Sequence, residues 1–169
     1  MRRIAAIARN PVAVALVAAL AVAGCASKKA PNNAADLGLG GAAGQATPGS
    51  SQDFTLNVGD RIFFDTDSSM IRADAQQTLS RQAQWLNQYR NYAITVEGHA
   101  DERGTREYNI ALGARRAAAT RDFLIGRGVP ANRLRTISYG KERPVALCDD
   151  NSCQTQNRRA VTVLGGAGS

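Results

Sequence analysis

The residues able to do chemistry crowd into one stretch, Glu97-Gly-His-Ala-Asp-Glu-Arg-Gly104. A metal reading fails on supply, because zinc sites take about four ligands with His or Cys prominent and the chain has a single His. A glycosidase reading would pair Glu97 with Asp101. Glu97, however, falls in a strand pattern, and nothing nearby points to the raised pKa that a general acid needs. Gly-x-Ser-x-Gly, the phosphate-binding loop and His-Glu-x-x-His are all missing, so no enzyme is expected and no cofactor or metal is implied. His99 reads as a packed residue at a strand end. What remains is a binding constellation. At the helical 100° per residue, Asn109, Leu112 and Arg116 fall within about 60° of one another, while Arg115 points about 100° away. Asp101 sits in the loop just before that helix and can fold back over its first turns. Gly104 helps the chain turn, and Thr105 is a plausible N-cap. An anion and a cation so placed make either an internal salt bridge or a two-charge ligand site.

The elements that must position these residues follow from periodicity. Arg61-Ile-Phe-Phe-Asp65 reads as a short strand bounded by Asp60 and by Asp65–Ser69. Ala75, Leu79, Ala83, Leu86 and Tyr89 recur at helical spacing and predict a helix over 73–89. Tyr92–Glu97 alternates with branched Ile94 and Val96, a second strand. Thr105 to about Gly126 predicts a long helix ended by glycine. Arg133–Tyr139 and Arg159–Leu164 predict two more strands, with a loop between them. The order β-α-β-α-β-loop-β implies an α+β domain, an α/β sandwich in which helices cover a four-stranded sheet. Gly165–Ser169 reads as a frayed end.

The chain has 169 residues, 44% hydrophobic, which suits one domain with a core. Its +7 charge first suggests nucleic acid, but the opening segment argues otherwise. Arg2, Arg3 and Arg9 precede an apolar run from Val12 to Gly24. A membrane-spanning helix needs about 20 apolar residues, so this run fits a signal peptide over residues 1–24. Removing it takes away three Arg and no acid, and the net charge falls to +4. No nucleic-acid partner is expected in the compartment beyond. Residues 25–52 are dominated by Ala, Gly, Ser, Asn and Pro, a composition that cannot offset its ordering entropy and predicts a flexible linker. The folded domain is expected over 53–169. Four residues intervene between Cys148 and Cys153, and an oxidising compartment favours a disulfide over free thiols or a metal site.

Two resemblances sharpen this reading. Val22-Ala-Gly-Cys25 resembles the bacterial lipobox, which implies cleavage before Cys25 and acylation of its thiol and new amine. Ala26 after the Cys, rather than Asp, resembles the enterobacterial signature for transport to the outer membrane. Second, Gly98, His99, Asp101, Gly104, Tyr108, Asn109, Leu112, Arg116 and Ala117 resemble the pattern of OmpA-like peptidoglycan-binding domains, and most closely that of the Pal lipoproteins. Ile62-Phe-Phe-Asp65, Ser138-Tyr-Gly-Lys-Glu-Arg-Pro144 and Asn157-Arg-Arg-Ala-Val161 extend the likeness in family order. Arg106 and Ala114 depart from the common pattern at positions expected on the surface, and the Cys148–Cys153 loop differs more.

The resemblance implies non-covalent binding of the peptidoglycan stem peptide through diaminopimelate, whose side chain ends in an ammonium and a carboxylate. Asp101 would take the ammonium and Arg116 the carboxylate, since a guanidinium fork can give two parallel hydrogen bonds. Asn109 would bond loop backbone or ligand, Leu112 would form the apolar wall, and Phe64 and Asp65 would close the pocket. It further implies a lipid-anchored outer-membrane protein with its domain in the periplasm. Its partners would be TolB and other Tol proteins, with wall and TolB competing. A wall anchor of a flagellar motor or secretion complex is the alternative that shares this domain.

Overall fold

The computed structural model describes residues 46–148 and 150–165. The signal peptide, Cys25 and most of the expected linker lie outside them. Part of the stretch expected as flexible linker is structured. Thr47–Ser50 form a turn, and Ser51–Asp53 (α1) open a helical stretch that continues as a π-turn over Phe54–Gly59. The reason is tertiary: Tyr92 Oη donates to Gly49 O at 2.7 Å, and Asp53 accepts from Gly49 N and Trp85 Nε1.

The remaining elements are β1 (Arg61–Phe63), α2 (Ala73–Gln88), β2 (Ile94–His99), α3 (Arg106–Gly126), β3 (Leu134–Gly140), α4 (Asn151–Asn157) and β4 (Arg159–Leu164). The strands form one mixed sheet in the order β1-β4-β2-β3. β4 runs antiparallel to both β1 and β2, and β2 pairs parallel with β3 through the α3 crossover. The expected four-stranded α+β sandwich is what forms. β1 is shorter than expected and stops at Phe63, although Phe64 N still donates to Arg158 O at 2.9 Å. The stretch expected as a loop between β3 and β4 contains α4, capped by Asp150 through bonds from Ser152 N and Cys153 N.

One core lies between the helices and one sheet face. Ile62, Ile94, Val96, Leu134 and Ala160 supply its strand side, and Leu79, Leu86, Ala117 and Leu124 its helix side. The buried stripe of α3 is Asn109, Leu112, Gly113, Arg116, Ala117, Thr120 and Leu124. Three of these are polar, so the helix has the right spacing for burial without an apolar face to announce it. α3 sits close on the sheet because two glycines face each other. A Cβ on Gly98 would lie 1.8 Å from Gly113 O, and one on Gly113 would lie 2.4 Å from Ser138 Oγ. That close approach brings the first turns of α3 down over the C-terminal end of β2.

Candidate functional site

Past the end of β2 the chain makes the tight loop Ala100–Thr105, and four contacts hold its shape. Ala100 N donates to Gly140 O at 2.8 Å, and Lys141 Nζ donates to Glu102 O and Gly104 O. Asn109 Nδ2 donates to Arg103 O at 2.6 Å. Gly104 sits at φ +85°, a left-handed conformation in which a side chain would be strained. Thr105 then caps α3 by accepting from Tyr108 N at 3.2 Å.

This loop, the first two turns of α3 and the Thr66–Asp67 turn enclose a cleft of about 300 Å³ lined by Asp101, Arg103, Asn109, Leu112, Tyr108 and Asp67. Asp101 is only 7% exposed. Its Oδ2 accepts from Arg103 Nη2 at 2.6 Å and Arg158 Nη1 at 3.1 Å. Burial pushes the Asp101 carboxyl up, but the bonds from Arg103 and Arg158 and the charge of Arg103 outweigh it and hold the pKa below the usual carboxylate value. The cleft therefore has a fixed anion in its wall. Leu112 gives an apolar surface beside it, and Tyr108 Oη bonds Asp67 Oδ1 across the mouth.

Arg116 differs from expectation. Its residue is 0% exposed. Nε donates to Ser68 O at 2.8 Å, Nη1 to His99 O at 2.8 Å and Nη2 to Asp65 O at 3.1 Å, with the guanidinium over the Phe64 ring at 5.2 Å. It neither lines the cleft nor pairs with Asp101, so the internal Asp101–Arg116 salt bridge does not form; Asp101 pairs with Arg103 and Arg158 instead. Burial, partly opposed by Asp101, lowers the Arg116 pKa to about 10, which leaves it charged at neutral pH. In this conformation the guanidinium stitches the Asp65–Ser68 turn to the end of β2 from beneath. A ligand carboxylate would reach its remaining N–H groups only if the Asp65–Ser68 turn moved.

Phe64 is buried under Arg116 rather than in the cleft wall, and Asp65 is exposed, with its carboxylate on Arg72 and its carbonyl on Arg116. Five residues emerge that sequence reasoning gave no role: Thr66, Asp67, Arg103, Tyr108 and Arg158. Tyr108 and Arg158 stood inside quoted motifs. Asp67 carries φ +53° without being glycine, which a run of Asp and Ser residues can signal. Arg158 also donates Nε to Phe64 O, so it ties β1 to the cleft carboxylate.

His99 is buried against Tyr139 with both ring nitrogens unpartnered, and Glu97 is too distant at 3.6 Å for a hydrogen bond. Burial, with Arg159 and Arg143 nearby, lowers its pKa to about 4, so it is neutral at pH 7. Cys148 and Cys153 are joined in a disulfide at the start of α4. The departures Arg106 and Ala114 are both exposed, Arg106 pairing with Glu142 at 3.1 Å.

Residues 63–158 match the OmpA family. Across its full length the chain is 79% identical to the peptidoglycan-associated lipoprotein of Mesorhizobium japonicum, covering 100% of each chain. In structure it is similar to the peptidoglycan-associated lipoprotein of Burkholderia pseudomallei, with a TM-score of 0.65 and 39% identity over 70% of this chain and 100% of that one. It is also similar to the C-terminal domain of Helicobacter pylori MotB, with a TM-score of 0.60 and 27% identity over 63% of this chain and 84% of that one.

Proposed function

This chain belongs to the OmpA family, and on that premise we propose that it is a lipid-anchored outer-membrane protein whose periplasmic domain holds peptidoglycan without a covalent bond. It is not an enzyme, and its full-length relatives are lipoproteins. Residues 1–24 act as the signal, Cys25 takes the acyl chains, and the stretch up to the domain is a tether. Because several acyl chains are involved, each buried CH₂ contributing about 0.8 kcal/mol, attachment is lasting. Repeated stem peptides in the wall then turn modest single-site affinity into firm attachment.

The observation that carries this reading is the nearly buried Asp101 carboxylate beside Leu112 in a cleft of ligand size. Such an anion, kept ionised by its arginine partners, suits the ammonium of diaminopimelate. Arg103 is the accessible cation at the rim, its side chain 49% exposed, and suits the neighbouring carboxylate. Arg116 joins it if the Asp65–Ser68 turn shifts; otherwise Arg116 positions the loops. The higher identity to the lipoproteins than to MotB, together with the lipobox resemblance, favours this reading over a motor anchor. TolB and other Tol proteins are proposed as further partners, with TolB competing for the same end of the domain in support of envelope constriction.

Calorimetry with two stem peptides tests the proposal, one carrying diaminopimelate and one carrying Lys, which lacks the terminal carboxylate. The first is expected to bind and the second not. Asp101→Ala should lower affinity more than about tenfold, since losing one partner of a buried charge contact costs about 2–5 kcal/mol. Equal binding of both peptides refutes the two-charge site, and unchanged binding by a folded Asp101→Ala removes Asp101 from it.

A further inference from the structure

The first described residues and the cleft are at opposite ends of the domain. The described chain begins at Ala46 and runs against the turn between α2 and β2, where Tyr92 Oη bonds Gly49 O and the Tyr89 ring closes over Gly49. The far end of β4 is there too, with Gly165 N donating to Ala93 O at 2.8 Å. The candidate cleft begins beyond the other end of β2, about 16 Å away along a six-residue strand.

The tether end is basic. Residues Asn87–Ile94 and Gly126–Thr136 carry Arg90, Arg127, Arg133 and Arg135 and no acidic residue. None of the four pairs with a carboxylate among the described residues. They are gathered by the fold. Asn87 accepts from Arg90 Nε through its carbonyl and donates its side-chain amide to Arg127 O. Arg133 donates to the carbonyls of Leu86, Tyr89 and Tyr92 and is close enough to Arg90 to feel its charge. Arg135 follows on the edge strand, exposed. Of the carboxylates near this end, Asp53 is held by Gly49, Trp85 and Asn57, and Asp122, a turn before Gly126, pairs with Arg121 at 2.7 Å.

We propose that this arginine end docks on an anionic lipid headgroup surface, holding the domain base-down with its cleft directed away from the membrane. The inference rests on the lipid-anchor reading: Cys25 precedes Ala46 by 21 residues, which confines the domain to within about 70 Å of its anchor. Inside that range a weak surface attraction is enough, because docking is intramolecular. Each Arg near an anionic leaflet favours docking about fivefold. The attraction is screened within about 8 Å at physiological salt, so only the face that touches the membrane contributes.

The chain carries its own probe. Trp85 is the single tryptophan and packs against Tyr89 and Tyr92 at the tether end. The acylated full chain would be placed in phosphatidylcholine vesicles, with or without about 30% phosphatidylglycerol, each containing a dansyl-labelled headgroup. Energy transfer from Trp85 to dansyl is expected to be at least twofold higher in the anionic vesicles. It should fall to the neutral level in about 0.5 M NaCl and in an Arg90→Gln, Arg127→Gln, Arg135→Gln variant. Arg133 is left intact because it closes three carbonyls. Equal transfer in both vesicle types at low salt overturns the docking, as does unchanged transfer in the variant. Failure of the chain to float with neutral vesicles is a separate result that overturns the anchor reading, and the tethered docking with it.

Discussion

Replacing Arg116 with Ala is expected to unfold the domain more readily before it reports anything about ligand. The guanidinium makes three charge-assisted bonds, at 2.8, 2.8 and 3.1 Å, to two carbonyls of the Asp65–Ser68 turn and one at the end of β2. Each such bond contributes about 1.5–3 kcal/mol, less than additively when one group makes all three. Against this stands the cost of keeping the charge out of water. Burial lowers the pKa to about 10, well below the usual guanidinium value, which puts that cost at roughly 3 kcal/mol. Ala removes the cost but leaves the carbonyls of Asp65, Ser68 and His99 without their donor, and a cavity beside Phe64. The carbonyl and cavity terms win, and the net loss is about 3–5 kcal/mol, the range found for breaking buried charged contacts. For a domain of this size that lowers Tm by roughly 10–20 °C. Urea melts followed by Trp85, which is 7% exposed, measure it directly. Arg116→Lys should recover little, because one ammonium cannot reach three divergent carbonyls. A folded Arg116→Ala within about 1 kcal/mol of the parent would refute the stitching role.

Two further perturbations follow from the same geometry. His99 has a folded pKa of about 4, below its ordinary 6.5, so its contribution is fully present above pH 6.5 and is lost as pH falls toward 4; on the order of 3 kcal/mol is at stake, and His99→Phe should flatten that acid limb in melts across pH 4 to 7. Gly98→Ala puts a methyl 1.8 Å from Gly113 O and should cost at least about 3 kcal/mol, whereas Gly126→Ala, with nothing within 4 Å, should be neutral or stabilising by up to about 1 kcal/mol.

The order of elements was legible in the sequence because each signal is local. Ile94 and Val96 alternate on a strand, Leu79, Ala83 and Leu86 recur along a helix, and Thr105 caps where its hydroxyl meets the next turn. α4 was not legible, because its seven residues are mostly Asn, Ser, Cys and Thr, which are poor helix formers, and its cap and disulfide do the organising. The turn at Thr47–Ser50 was not legible for a related reason. A Gly- and Ser-rich segment gains order only from Tyr92, Trp85 and Asp53, which lie far along the chain or close up only on folding.

The candidate site divides the same way. Spacing along the chain alone put Asn109, Leu112 and Arg116 on one face of a helix and Asp101 in the loop above it, since helical geometry is local. Which cation stays open to a ligand depends on what else packs there. The turn at Asp65–Ser68 folds over Arg116 and takes two of its three bonds, His99 O at the end of β2 takes the third, and Arg158, 57 residues from Asp101 in sequence, reaches the carboxylate from the end of α4. Sequence determined the anion and the helix that faces it; only the packed tertiary structure, by closing carbonyls over one guanidinium and leaving Arg103 at the rim, decided which charges meet the cleft.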